Sequence, residues 1–339
     1  MQVCDTKRLT TSMSGHGSAR KLARQIDPMT LITLFSAPKG FTDARIAISQ
    51  RNAIQSWKDL GETDILLLGD EAGLATVARE IGVRHLPQVA MNQNRVPLIS
   101  SMLKLAREAG NSRFLGIINS DIILMSDFLE AVQHAASLQA SQALRRGFVL
   151  VSQRWDLEVA KPLEFNNGWE GRLRAEVHEK GKLHKPTGSD LFLFPSNCYQ
   201  EVPDFAIGRG GWDNWMIYRA RKEGWPVIDM TPSVMIVHQI HDYAHLPGAK
   251  PHYDHPDTEV NARLAGGRAA TRYSILDSTD TLVNGRLVRP KASFPRFERG
   301  LELLLRRLFF FLPENMIEIV ARPQRWNKRL KRLLGRIHS

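Results

Sequence analysis

The chain has only two cysteines among 339 residues, Cys4 and Cys198, far apart and in no metal-ligand spacing. Nothing in that usage supports a disulfide framework, so a reducing, cytoplasmic setting is the expectation. Long apolar runs are also missing, and no stretch approaches the ~20 residues that a membrane-crossing helix needs. Residues 1–28 are basic and Ser/Thr-rich without an apolar centre, and they read as a loose tail and not a signal peptide. There is no GxGxxG after the first apolar strand, no GxxxxGK[ST] and no GxSxG. These absences disfavour dinucleotide oxidoreductases, P-loop phosphotransferases and α/β-hydrolases. Acidic residues are absent from 321–339, which hold seven Lys/Arg. Removing those seven from 46 basic residues leaves 39 against 35 acidic, so the net charge of +11 falls to +4. A body so mildly basic is not expected to bind nucleic acid.

What is present is alternation. "MTLITLFSAPKG" (29–40), "DILLLGD" (64–70), "RFLGIINSDIIL" (113–124) and "GFVLVSQRWD" (147–156) are apolar runs read as buried strands. Between them, "DARIAISQRNAIQSWKDLG", "EAGLATVAREIG", "PLISSMLKLAREAG" and "SDFLEAVQHAASLQA" carry helical spacing. Pro97 is placed to open one of these helices and Ser126 to cap another. The expected class is α/β with a mostly parallel central sheet. Residues 157–187 read as an irregular insertion, and 246–295 as loop-rich.

In such a sheet, ligands bind beyond the carboxyl ends of the strands, which selects 36–39, 69–70, 119–121, 154–156 and 238–242 as the residues to consider first. Asp121 interrupts an apolar run, where a carboxylate is costly unless paired or bound to a cation. It reads equally as a turn cap or as a ligand. Asp190 opens "SDLFLFP" in the same way, as a turn residue or a ligand. Asp213 lies in "GRGGWDNWMIYRA", after glycines and between Trp212 and Trp215. It is either a helix cap or a general base, with the two indoles as platforms for a sugar ring. Five histidines fall between 238 and 255, and His238, directly after "VMIV", is the one that reads as a ligand.

"NSDIILMSDF", "GSDLFLFP", "FAIGRGGWDNWMIYRARKEGWPVIDMT" and "VHQIHDYAH" together resemble a glycosyltransferase-like family of the nucleotide-diphospho-sugar transferase superfamily. The resemblance runs over about residues 30–245 and implies a GT-A-like, Rossmann-type sandwich. It implies a catalytic domain over 29–295, with a nucleotide-sugar half (29–156) and an acceptor half (157–295). It makes Asp121 a metal-coordinating carboxylate, with Asn119 standing where an Asp-x-Asp motif has its first acid. It makes Asp213 the base toward an acceptor hydroxyl, and His238 a second ligand to Mn²⁺ or Mg²⁺. Ser36, Ala37, Pro38, Asp70, Ser120 and Asp190 then surround the nucleotide sugar. Arg95, in "NQNRVP", replaces a small residue and either contacts the diphosphate or marks a diverged loop.

The implied reaction is transfer of a sugar from a nucleotide-diphosphate donor to a glycan or lipid-linked acceptor, with inversion. A sugar nucleotidyltransferase is the alternative enzyme, though "FSAPKGF" lacks that class's glycine- and arginine-rich loop. An inactive glycan-binding scaffold is the third reading, motivated by Asn119. Residues 296–339 read as basic amphipathic helices, either packed on the domain or lying on an anionic membrane at the inner face.

Overall fold

The computed structural model describes residues 30–145, 147–240, 255–309 and 314–321. The first half alternates β1 (Ile32–Ser36), α1 (Ala44–Asp59), β2 (Thr63–Leu68), α2 (Leu74–Ile81), β3 (Arg84–Leu86), α3 (Ile99–Ala109) and β4 (Phe114–Ile118). There follow β5 (Ile122–Ile123), α4 (Ser126–Ala140), β6 (Val149–Val151), β7 (Arg154–Leu157), α5 (Trp169–Lys180), β8 (Lys182–Leu183) and β9 (Leu191–Pro195). The rest comprises α6 (Trp212–Lys222), β10 (Val227–Asp229), β11 (Ile236–Gln239), α7 (Pro256–Leu264), β12 (Asp280–Val283), β13 (Arg286–Val288), α8 (Phe294–Leu308) and α9 (Glu314–Ala321).

Among the described residues, nine strands form one sheet in the order β13-β12-β10-β6-β9-β4-β1-β2-β3. Its pairings are parallel except those of β9 with β4 and β6, and of the edge strand β13 with β12. The protein is thus α/β with a mostly parallel central sheet, and one strand near its middle is reversed. Strands from both sides of residue 156 build it, and β7 itself crosses that position. A second sheet, β5-β11-β7-β8, stands beside it.

Both faces of the large sheet are covered, which is why its strands are apolar without alternation. Along β1, Ile32 and Leu34 join a core with Trp57 and Phe128, while Phe35 joins the opposite core with Met102 and Trp215. The period of two places neighbours on opposite faces, each in a dry environment. A third, smaller core under the second sheet holds Ile123, Trp169, Leu173 and Val237.

Several expectations need correction. The run 113–124 is two strands, because the chain leaves the large sheet at Asn119–Asp121 and joins the small one as β5. Pro97 does not open α3; it bridges Met91, and the helix begins two residues later. Ser126 is the first helical residue and not its cap: its N–H and Oγ donate to Glu170 of α5, at 2.8 and 2.6 Å. The 157–187 insertion contains α5, and 246–295 contains α7 and the β12–β13 hairpin. Residues 1–28, the last five residues of "VHQIHDYAH", and His241, His245 and His252 lie outside the described residues.

Candidate active site

The forward strands β1 and β4 and the reversed strand β9 present their ends to one rim. Register fixes this, since Ile118 at the end of β4 pairs with Leu191 at the start of β9. Along that rim lies a cleft of about 890 Å³. Ser36, Ala37 and Pro38 line it after β1, and Asn119, Ser120 and Asp121 after β4. Arg95, Asp190, Trp212, Asp213 and His238 complete the expected residues that it gathers. Asp121 and Asp213, about ninety residues apart in sequence, therefore share one cavity.

Two expected residues fall outside. Asp70 is exposed; the chain turns at Gly69, with φ of 114°, and Glu71 is the acid that reaches the cleft wall. Trp215 is 5% exposed and packs on Phe205 with ring centroids 5.1 Å apart. Trp212 borders the cleft but is only 4% exposed, against Phe192 at 5.6 Å. Neither indole offers an open face to a sugar. Their spacing, continued by Met216 and Ile217, is the core-facing side of an amphipathic helix.

Asp121 belongs to a connected group of ionisable side chains. Its Oδ2 lies 3.6 Å from His238 Nε2, and His238 Nδ1 is 2.9 Å from Asp156 Oδ1. His184 Nδ1 holds the other Asp156 oxygen at 2.7 Å, and Arg154 Nε donates to Oδ1 at 3.0 Å. Burial alone would raise the Asp156 pKa, but these histidine hydrogen bonds and the Arg154 charge hold it well below the usual carboxylate range. Burial opposes ionisation of His238, yet Asp121 and Asp156 outweigh it and lift its pKa to about 9. Among the described residues, no group of three or more His, Cys, Asp or Glu is placed to hold a metal ion.

Asn119 and Asp190 act together. Asn119 Nδ2 donates to Asp190 Oδ1 at 2.7 Å, and Arg154 Nη1 donates to both Asp190 oxygens at 2.7 Å. Asp190 is thus committed to fixing Arg154 at the cleft wall. The same contact explains the amide at 119: a second carboxylate there would meet Asp190 at hydrogen-bond distance with no proton to share.

Asp213 is the second residue of α6, not its cap. The cap is Gly211, with φ of 104°, where an added Cβ would lie 2.9 Å from Thr271 Cγ2. Burial pushes the Asp213 pKa up to about 6; backbone N–H groups at the helix start oppose this and the Asp190 charge adds to it. The glycine loop before it is held by buried Asn261, which accepts from Ala206 N at 2.9 Å and donates to Ala206 O at 3.1 Å.

Sequence reasoning missed several contributors. Gln50 clamps the β1 loop, donating to Lys39 O at 2.8 Å and accepting from Lys39 N and Ser120 Oγ at 2.7 and 2.9 Å. Lys39 itself lines the cleft, its pKa lowered by burial against the pull of Asp121. The strand-end rule had included Lys39 among the residues to consider first, without giving it a role. His184 gave none, sitting in a polar stretch without periodicity.

No protein-family model matches the chain, and no curated protein matches it. Similar solved structures include the mannosyltransferase PcManGT from Pyrobaculum calidifontis in complex with GDP-Man and Mn²⁺, at 9% identity and a TM-score of 0.39. That match covers 64% of this chain, which spans only 59% of that one. Another is glucosyl-3-phosphoglycerate synthase from Mycobacterium tuberculosis with Mg²⁺ and UDP, at 16% identity and a TM-score of 0.42. It covers 78% of this chain and 87% of that one.

Proposed function

We propose that the chain is a GT-A-type glycosyltransferase, moving a sugar from a nucleotide-diphosphate donor to a hydroxyl of a glycan or lipid-linked acceptor. The observation that carries this reading is one cleft lined by two carboxylates in different surroundings. Asp121 sits in a cation-rich corner with His238 and Lys39, whereas Asp213 is raised toward the basicity of a working base.

Asp121 and His238 are the two side chains we assign to one divalent cation, Mn²⁺ or Mg²⁺, with the donor diphosphate supplying further oxygens. With its Nδ1 held by Asp156, His238 points Nε2 toward Asp121, and a cation would have to displace the Nε2 proton to bind there. Asp121 and His238 would hold the ion, which when bound neutralises charge on the leaving diphosphate. Ser36, Ala37, Pro38 and Ser120 wall the donor end, and Lys39 and Arg95 add positive charge there. Arg154, locked by Asp190 and Asp156, supplies a cation that cannot swing away.

Asp213 then takes the acceptor hydroxyl's proton while that oxygen bonds to the anomeric carbon. The bond from that carbon to the diphosphate oxygen breaks in the same step, and the electron pair leaves with the nucleotide diphosphate. Attack from the face opposite the leaving group inverts the configuration. A single base at ~3 Å from the hydroxyl is sufficient for this chemistry.

The test replaces Asp213 by Asn and measures transfer alongside nucleoside-diphosphate affinity. Transfer should fall by at least ~10³-fold while affinity stays within about threefold. Equal loss of both would remove Asp213 from the chemistry. Stabilisation only by a nucleoside triphosphate with a sugar phosphate would instead mark a nucleotidyltransferase, and no response to any nucleotide a binding protein.

A further inference from the structure

Helix α8 is mounted inside out. Arg299 and Glu302 are each 3% exposed and face the domain, whereas Phe294 and Phe297 are 62% and 67% exposed. Leu304, Leu308 and Phe309 are exposed as well. At 3.6 residues per turn, 294, 297, 304 and 308 form one stripe, and 299, 302 and 306 the opposite one. A surface helix ordinarily turns those two stripes the other way.

The inversion is locked by polar contacts. Arg299 Nε donates to buried Asp277 Oδ1 at 2.8 Å, its Nη1 meets Glu302 at 3.1 Å, and its guanidinium lies 4.9 Å from the Tyr273 ring centre. Arg296 donates to Leu276 O at 3.0 Å, and Arg306 Nη2 to Glu302 at 3.2 Å. Helix α9 packs on α8, burying Ile317 and Ala321, and it adds exposed Met316 and Val320 to the apolar surface.

We infer that this outward apolar face of α8 and α9 seats on an anionic lipid bilayer. Charge decides the occupant. Exposed Arg289 and Lys291 lie three to five residues before Phe294, Arg307 flanks the stripe, and the sequence beyond α9 supplies seven more Lys/Arg without an acid. A second copy meeting this patch across a two-fold axis would set those cations against their equivalents. Acidic headgroups accept them while the acyl region takes the phenylalanines and leucines. Fifteen residues make α8 about 22 Å long. Among the described residues no helix is long and apolar enough to cross a membrane, so the segment lies flat.

The contact orients the cleft. Tyr273, under Arg299, accepts from Asn214 Nδ2 at 2.6 Å, and Asn214 follows Asp213. Thr271 and Arg272, just before Tyr273, line the cleft. The bilayer-facing helix is therefore bolted to the wall beside Asp213.

The full chain is co-sedimented with phosphatidylcholine vesicles with and without about 30% phosphatidylglycerol, read without any sugar transfer so that the result is independent of the proposed reaction. Binding should need the anionic lipid, weaken in high salt, and fall about tenfold or more in Phe297→Glu with Leu304→Glu. A second pair, Phe294→Ser with Leu308→Ser, should behave alike, and both should keep the thermal midpoint and solution mass of the parent. No anionic-vesicle binding, or equal binding by the variants, overturns the inference. So does a lowered midpoint, which means the chain covers this face itself, or a dimer turned monomer, which means a second copy does.

Discussion

Asn119 shows how one atom's identity depends on its neighbour. Replacing Asn119 by Asp removes the donor that holds Asp190 and adds a charge at 2.7 Å. The substitution should lower stability by roughly 1–3 kcal/mol, read by urea denaturation. Asp213 carries the opposite signature. Its folded pKa, about 6, lies above the unfolded value, so the ionised form is disfavoured in the native state above that range. Asp213→Asn should therefore raise the thermal midpoint at pH 7–8, with the gain fading as pH falls toward about 4. A lower midpoint at pH 7 would identify it as a helix-dipole stabiliser. In the parent, transfer should climb with pH through about 6 and then level off, because only the carboxylate form accepts a proton. That Asp121, Asp213 and His238 would reach a cleft was legible because a charge beside an apolar run or a glycine turn is conspicuous. Trp212 and Trp215 were misread because helical spacing, not proximity to an acid, decides which side a ring faces.

Among the elements, α5 and α8 were the least readable. Helix α5 buries Trp169, Leu173 and Val177 at every fourth residue but fills the gaps with charge, so its stretch passed for a loop. Helix α8 was legible as amphipathic, yet no periodicity tells which stripe meets the domain. That was decided by Asp277 and Tyr273, more than twenty residues away in sequence. Arg299→Met leaves Asp277 and Glu302 buried without their shared cation. It should cost roughly 3–5 kcal/mol in equilibrium unfolding, far more than truncating exposed Phe297, which should stay within about 0.5 kcal/mol. Equal costs for the two would contradict the inside-out mounting.

For the molecule as a whole, the alternation of apolar runs and helical spacing was enough to expect a mostly parallel sheet. Strand order was not, since pairings such as β10 with β6 join segments some eighty residues apart. The proposed donor binding belongs to this scale, because it would draw on the loops after β1 and β4 and on strands β7 and β11 at once. A nucleoside diphosphate with Mn²⁺ at about 100 times its Kd should add roughly 2.7 kcal/mol of stability. Chelation by EDTA, or Asp121→Ala, should remove most of that increment in a thermal-shift assay. Persistence of the full shift under chelation would instead assign the diphosphate's counter-charge to cleft cations such as Lys39, Arg95 and Arg154.

The backward run of β9 has one more outcome. A forward strand must be reached by a crossover that travels the length of the sheet, and its span is set by the strands it joins. Leu191 instead enters from the very edge where Ile118 leaves, so the preceding excursion starts and finishes on the same side. Its length is unconstrained by the framework, and residues 158–188 can be rebuilt between descendants of one ancestor without disturbing a single pairing of the nine.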